Sequence, residues 1–209
     1  LDEYKRNIVN PVRVGELVSQ TCYRYCRVVV WVEEFLMAIT LIAHTEVGSG
    51  GAANIEFTSI PSTYDDLWIV LSARLSLAGS NYAEVALRFN GVTTTSYSRT
   101  TLTAFSSTVN SGRATNSSSY LHGTVPAADA NSNIFGSSSI YIPAYANTSN
   151  NKQIISESNG ENNSTTAWSN QYTAGLFRST SAISSITIFR SSTTFVQYST
   201  ATLYGIKKF

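Results

Sequence analysis

His44 and His122 are the only imidazoles in a chain of 209 residues. A serine nucleophile needs a positioned base and an oxyanion site. The G-x-S-x-G elbow that exposes such a serine is absent, and Gly48-Ser49-Gly50 reads as a loop. Both histidines therefore read as strand or loop residues. Carboxylates offer a second chemistry, because glycoside hydrolysis needs two acids at a set separation. The candidates are Asp65/Asp66 and Glu157/Glu161. The first pair follows Tyr64 and precedes an apolar run, as a turn would. The second flanks Asn159-Gly160, again turn chemistry. No catalytic residue is expected from either pair, and the chain does not read as an enzyme.

Metal chemistry is no better provided for. Asp129-Ala130-Asn131-Ser132-Asn133 fits the first five positions of a calcium loop. Ile134 then stands where the sharp turn needs Gly, and Ile140 where a bidentate Glu closes the site. Cys22 and Cys26 have C-x₃-C spacing, but zinc would need two more ligands and the nearest histidine is His44. They read as unpaired small apolar residues, or as an oxidised or inter-chain pair. No Walker or dinucleotide glycine motif cradles a phosphate. Asn116, Asn147, Asn162 and Asn163 fit N-x-[ST], which abundant Ser and Thr produce by chance. Neither a metal nor a cofactor is expected.

The aromatic residues say more. Twelve Tyr and three Trp accompany few charges. Tyr82, Tyr97, Tyr120, Tyr145, Trp168 and Tyr172 fall in or near expected loops. Exposed there, they would stack on sugar rings or fill a protein interface. The other reading is that they cap the ends of a core. Trp168, Tyr172, Tyr145 and Tyr97 are taken as the candidate contacts for a glycan or partner.

The elements that would carry these residues differ along the chain. Residues 1–36 hold ten of the 27 charges, five acidic and five basic, and both Cys. Residues 37–209 instead hold 53 Ser and Thr, 14 Asn and 11 of the 12 Gly. The boundary falls at Met37, the only Met. Residues 1–36 are expected to form an extended or partly helical arm, or to be upstream sequence ahead of a natural start at Met37. Val28–Val32 is apolar but runs straight into Glu33 and Glu34, which is unlike a signal-peptide cleavage site. A net charge of +1 lacks the electrostatic footprint of a nucleic-acid binder. No apolar run is long enough for a membrane-spanning helix. Neither nucleic acid nor membrane is expected as a partner.

From Ala38 onward the apolar residues alternate with the period of a strand. Ile69, Leu71, Ala73, Leu75 and Leu77 share one face, opposite Trp68, Val70, Ser72, Arg74 and Ser76. Val85, Leu87 and Phe89 alternate likewise. Gly48–Gly51, Ala78–Asn81, Asn90-Gly91 and Asn159-Gly160 supply turns, and Asn90-Gly91 carries the strong signal of a hairpin. Eleven runs have strand character, of which eight or nine are expected as strands. The expectation is an all-β, antiparallel β-sandwich, jelly-roll-like, over residues 37–209.

Four blocks carry a resemblance. They are Ile55-Glu56-Phe57-Thr58-Ser59-Ile60-Pro61-Ser62-Thr63-Tyr64-Asp65-Asp66-Leu67, then Leu87-Arg88-Phe89-Asn90-Gly91 with Tyr97-Ser98. Ile140–Asn147 with Lys152 follows, then Ala182–Ile188, Phe195 and Ser199–Lys207. In these blocks residues 37–209 resemble a group of tailed-bacteriophage virion structural proteins. Residues 1–36 lie outside the resemblance. It implies a non-enzymatic particle protein located on the virion, of the capsid decoration (cement) or tail-appendage type. The expected role is decoration of the outer head surface. The partner would be the major capsid protein, the chain would form a homotrimer, and the arm would tie neighbouring subunits. The alternative is a receptor-binding module of a tail or head fibre that reads host surface glycans.

Overall fold

The computed structural model describes residues 38–162 and 169–208. The expected arm with Cys22 and Cys26, its boundary Met37, and Trp168 lie outside the described residues. Twelve strands follow in order: β1 (Ala38–Glu46), β2 (Asn54–Phe57), β3 (Asp66–Ala73), β4 (Tyr82–Phe89), β5 (Tyr97–Phe105) and β6 (Thr108–Ser117). The chain continues with β7 (Tyr120–Pro126), β8 (Gly136–Ile142), β9 (Lys152–Asn159), β10 (Ser169–Phe177), β11 (Ile186–Phe189) and β12 (Thr200–Lys207). The described residues contain no helix. The all-β class read from the period-two pattern is the class adopted.

The strands form two antiparallel sheets. One has eight strands in the order β1-β12-β3-β8-β9-β10-β5-β6, and the other has four in the order β2-β11-β4-β7. A single apolar cluster joins them in a sandwich-like arrangement. Ile69, Leu71, Ile140 and Leu203 enter it from the large sheet, and Ile55, Val85, Leu87 and Ile188 from the small one. Each such side chain gains about 1.5–3 kcal/mol by leaving water. The alternation in β3 puts Leu67, Ile69, Leu71 and Ala73 fully inside, with Trp68 and Val70 on the outer face.

Two local expectations are corrected. Asn90 and Gly91 do adopt positive φ, and Val92 N–H donates to Phe89 O across 3.0 Å to close the turn. No hairpin follows. β4 pairs with β11 and β7, while β5 pairs with β10 and β6 in the other sheet. The Asn90 carboxamide is used elsewhere: its Oδ1 accepts from the Ser184 and Ser185 backbone and its Nδ2 donates to Ala182 O. The turn thus docks the segment that leads into β11. The second correction is β6, which carries no apolar alternation and was not expected. It is an edge strand that leaves most of its residues exposed on both sides, so burial imposed no pattern on it.

The edge of the small sheet is protected in another way. A free edge strand offers unpaired backbone groups to other chains. Among the described residues no further strand pairs beyond β7, and the inner faces of β9 and β10 lie against it instead. Ser156 Oγ donates to His122 O at 2.8 Å, and Thr124 N–H donates to Ser158 Oγ at 2.9 Å. Serine hydroxyls here stand in for a missing ladder. The approach is so close that a Cβ on Gly123 would lie 2.1 Å from Ser158 Oγ.

Candidate interaction face

The outer face of the eight-stranded sheet gathers the exposed aromatic and apolar residues. Register fixes one continuous cross-strand row: Leu41, Tyr204, Trp68, Tyr141, Ile155 and Ala174. Leu41 is 58% exposed and Ile155 62%, which is far from the usual state of a large apolar side chain. Trp68 and Tyr204 pack at 5.6 Å, and Trp68 Nε1 donates to Ser139 Oγ at 2.8 Å. The next row runs His44, Thr202, Val70, Ser139, Glu157, Tyr172, Leu102 and Ser111. A third contains Glu46, Thr200, Ser72, Ser137, Asn159 and Asn170.

Tyr172 divides two shallow depressions on this face. One of about 330 Å³ is lined by the Ser137–Ser139 stretch, Glu157, Asn159, Asn170 and Tyr172. The other, of about 390 Å³, is apolar and lined by Leu102, Ile155, Ala174 and Tyr172 among others. Tyr172 is 59% exposed.

The other expected aromatic contacts are placed elsewhere. Tyr97 and Tyr145 are fully buried, so neither offers a ring to a ligand, which corrects their reading as exposed loop residues. Tyr97 stacks on Phe177 at 4.9 Å, and its hydroxyl donates to Val92 O while accepting from Phe89 N–H. The Tyr145 hydroxyl donates to Pro61 O. Tyr120 is equally internal, its hydroxyl paired with Ser156 Oγ at 2.7 Å. The capping reading wins for these three, because each hydroxyl finds a partner inside. Trp168 falls outside the described residues.

Several of the residues weighed for catalysis or metal binding have structural partners. Asp66 is 2% exposed. Burial works against its charge, but hydrogen bonds from Lys208 Nζ, the Tyr141 hydroxyl and Ala144 N–H outweigh this and hold its pKa below the usual carboxylate value. The Lys208 backbone N–H, at 2.7 Å, chiefly does the same for Asp65. The pair ties the end of β12 to the start of β3. In the calcium-like loop the carbonyls turn to a guanidinium. Arg74 donates to the backbone oxygens of Ala128, Ala130, Asn131 and Ile134 at 2.7–3.2 Å. Asp129 Oδ1 accepts from Gly79 N–H. Among the described residues no group of three or more His, Cys, Asp and Glu could hold a metal. His44 is paired with Thr202 Oγ1 at 2.8 Å. His122 is fully buried, neither ring nitrogen has a hydrogen-bond partner among the described residues, and burial pushes its pKa down to about 3.

Compared with known protein families, characterised proteins and solved structures, the chain matches none.

Sequence reading found Tyr172 but missed its neighbours Asn159, Asn170, Ser137 and Ser139 as a group. Period two does place each on the outer face of its own strand. Which strands lie side by side was the missing information.

Proposed function

We propose that the chain is a non-enzymatic structural protein of a tailed-phage particle, a decoration protein built on a jelly roll and seated on the outer head surface. The pairing order supports the jelly roll. β1 pairs with β12, β2 with β11, β3 with β8 and β4 with β7. Strands of the first half take partners from the second half in reverse order, as a long hairpin ribbon does when rolled into two sheets. On this reading β5–β6 and β9–β10 are two inserted hairpins that widen one sheet from four strands to eight.

The observation that carries the functional reading is the broad, weakly charged outer face. In its three rows, the first of which continues from Ala174 through Thr100 to Arg113, the charged side chains are Glu46, Glu157 and Arg113. Strands spaced about 4.8 Å apart make an eight-stranded face roughly 38 Å wide. Three rows of side chains then span roughly 800 Å² over the whole face and about 400 Å² over four of its strands, about half of what one partner buries in a stable protein interface. The half formed by β1, β12, β3 and β8 presents Ile39, Leu41, Tyr204 and Trp68 and is the part that meets the shell. Apolar and aromatic side chains with few charges suit a permanent protein contact.

Immunogold labelling of purified virions tests this. Label over the head is expected, and replacing Leu41 and Trp68 with Asp and Ser should release the protein from heads. Label confined to the tail or its fibres would sink the decoration reading.

A further inference from the structure

We propose that the two depressions flanking Tyr172 form one binding site for a neutral, N-acetylated sugar. The site is centred on β9 and β10, distant from Leu41 on β1, and borders the Trp68 half of the face at β8, where Ser139 accepts from Trp68 Nε1. It is independent of the particle reading above.

Register builds it as a small lattice. Ser139, Glu157 and Tyr172 are direct cross-strand neighbours, and so are Ser137, Asn159 and Asn170. All six side chains leave the same face and line the same polar depression of about 330 Å³. Directly opposed residues in a sheet stand about 5 Å apart. That spacing lets two neighbouring side chains reach adjacent hydroxyls of one pyranose ring.

Their hydrogen-bonding capacity is open. Among the described residues, the side chains of Glu157 and Asn170 and the Tyr172 hydroxyl have no hydrogen-bond or ion-pair partner. Asn159 Oδ1 accepts from Glu161 N–H, which leaves its amide N–H groups free to donate. Ser139 Oγ accepts from Trp68 Nε1 and keeps its own proton to give. The depression therefore offers carboxylate and amide acceptors beside amide and hydroxyl donors. A sugar hydroxyl both donates and accepts, so it can use each kind. A half-exposed tyrosine ring between the two depressions supplies the stacking surface for the C–H face of the ring.

Two features narrow the ligand. The charge lining the polar side is the single carboxylate of Glu157, so an anionic sugar or a phosphate is repelled where it would have to bind. Beyond Tyr172 the second depression is lined by Leu102, Ile155 and Ala174 and offers almost no polar surface. A hexose hydroxyl gains nothing there, whereas the methyl of an acetamido group does. Such a shallow site holds a monosaccharide weakly, in the millimolar range.

The experiment is saturation-transfer NMR on the full chain with four probes: the methyl glycosides of N-acetylglucosamine, N-acetylgalactosamine and glucose, and free N-acetylneuraminic acid. Saturable binding is expected for at least one N-acetylhexosamine, with the acetamido methyl among the most strongly saturated protons. Its affinity should exceed that of the glucoside by about fivefold or more, with no binding of the acidic sugar. Tyr172→Ala and Asn170→Ala should each weaken it about tenfold while leaving the amide spectrum folded. Ile155→Ser should erase the preference for the acetamido group. No saturable binding of any neutral probe would overturn the site, as would binding that both Tyr172→Ala and Asn170→Ala leave unchanged. Binding led by the acidic sugar would overturn it as well.

Discussion

Acid should destabilise this protein through one buried histidine. His122 sits in β7 at the register shift opposite Val85 and Ala86, fully buried, with both ring nitrogens unpartnered among the described residues. Burial alone lowers its pKa from 6.5 to about 3. The sign follows from which state takes up the proton. Below pH 6.5 the unfolded chain binds a proton that the folded one refuses, so stability is complete above 6.5 and falls as pH drops toward 3. Each pH unit in that window costs about 1.4 kcal/mol, so about 2–3 kcal/mol is gone by about pH 4.5. That is a large share of a net stability of about 5–15 kcal/mol. Urea unfolding between about pH 7.5 and 4.5 should show this slope in the parent protein and in His44→Gln, and a nearly flat profile in His122→Gln. An NMR titration of the unaltered protein gives an independent reading, with the His122 imidazole silent throughout. If the His122 imidazole titrates near 6.5, or His122→Gln keeps the full slope, the reasoning fails.

Further predictions follow from single contacts. Arg74→Met leaves four loop carbonyls without their donor and should cost about 2–4 kcal/mol in chemical denaturation. Arg74→Lys should recover only part of that, since an ammonium lacks the planar fork. A Cβ on Gly175 would lie 2.1 Å from Tyr120 Cε2, and that ring is held by Ser156 and Thr173. Gly175→Ala should therefore destabilise by about 1–3 kcal/mol or more in the same assay. Gly48→Ala, with nothing within 4 Å, should change little.

The all-β class was legible because burial imposes period two wherever one face of a strand meets the core. β3 and β4 show it without ambiguity: Ile69, Leu71, Val85 and Leu87 all point inward. Where burial is absent the signal vanishes, and β6 was missed for that reason. Tyr97 and Tyr145 failed differently. A tyrosine next to turn residues looks the same whether its hydroxyl meets water or, as here, Val92 O and Pro61 O across the end of the core. Asn90-Gly91 specified its turn, since positive φ is a local property. It did not specify a hairpin, because the partner of β4 is chosen by long-range packing. The site around Tyr172 depends on β8, β9 and β10 being neighbours, and no local pattern carries that.

The serine and threonine load looked in the sequence like a surface property. The few of these residues that are buried do a different job. Ser156, Ser158, Ser169 and Thr173 point inward from β9 and β10 and are almost fully buried, where apolar side chains would be expected. What they face is an edge strand rather than a flat apolar layer. An aliphatic side chain there would strand His122 O and Thr124 N–H without partners, at a cost of about 1–3 kcal/mol each. A hydroxyl is small enough for the close approach and can donate to the one and accept from the other, as Ser156 and Ser158 do. Thr124 Oγ1 adds a bond to Ser169 Oγ at 3.0 Å. The same hydroxyls that close the edge inward leave β9 and β10 rigidly held beneath Tyr172, Glu157 and Asn170. The polar interior and the proposed outer site are thus two faces of the same pair of strands, and a substitution that loosens one will reach the other.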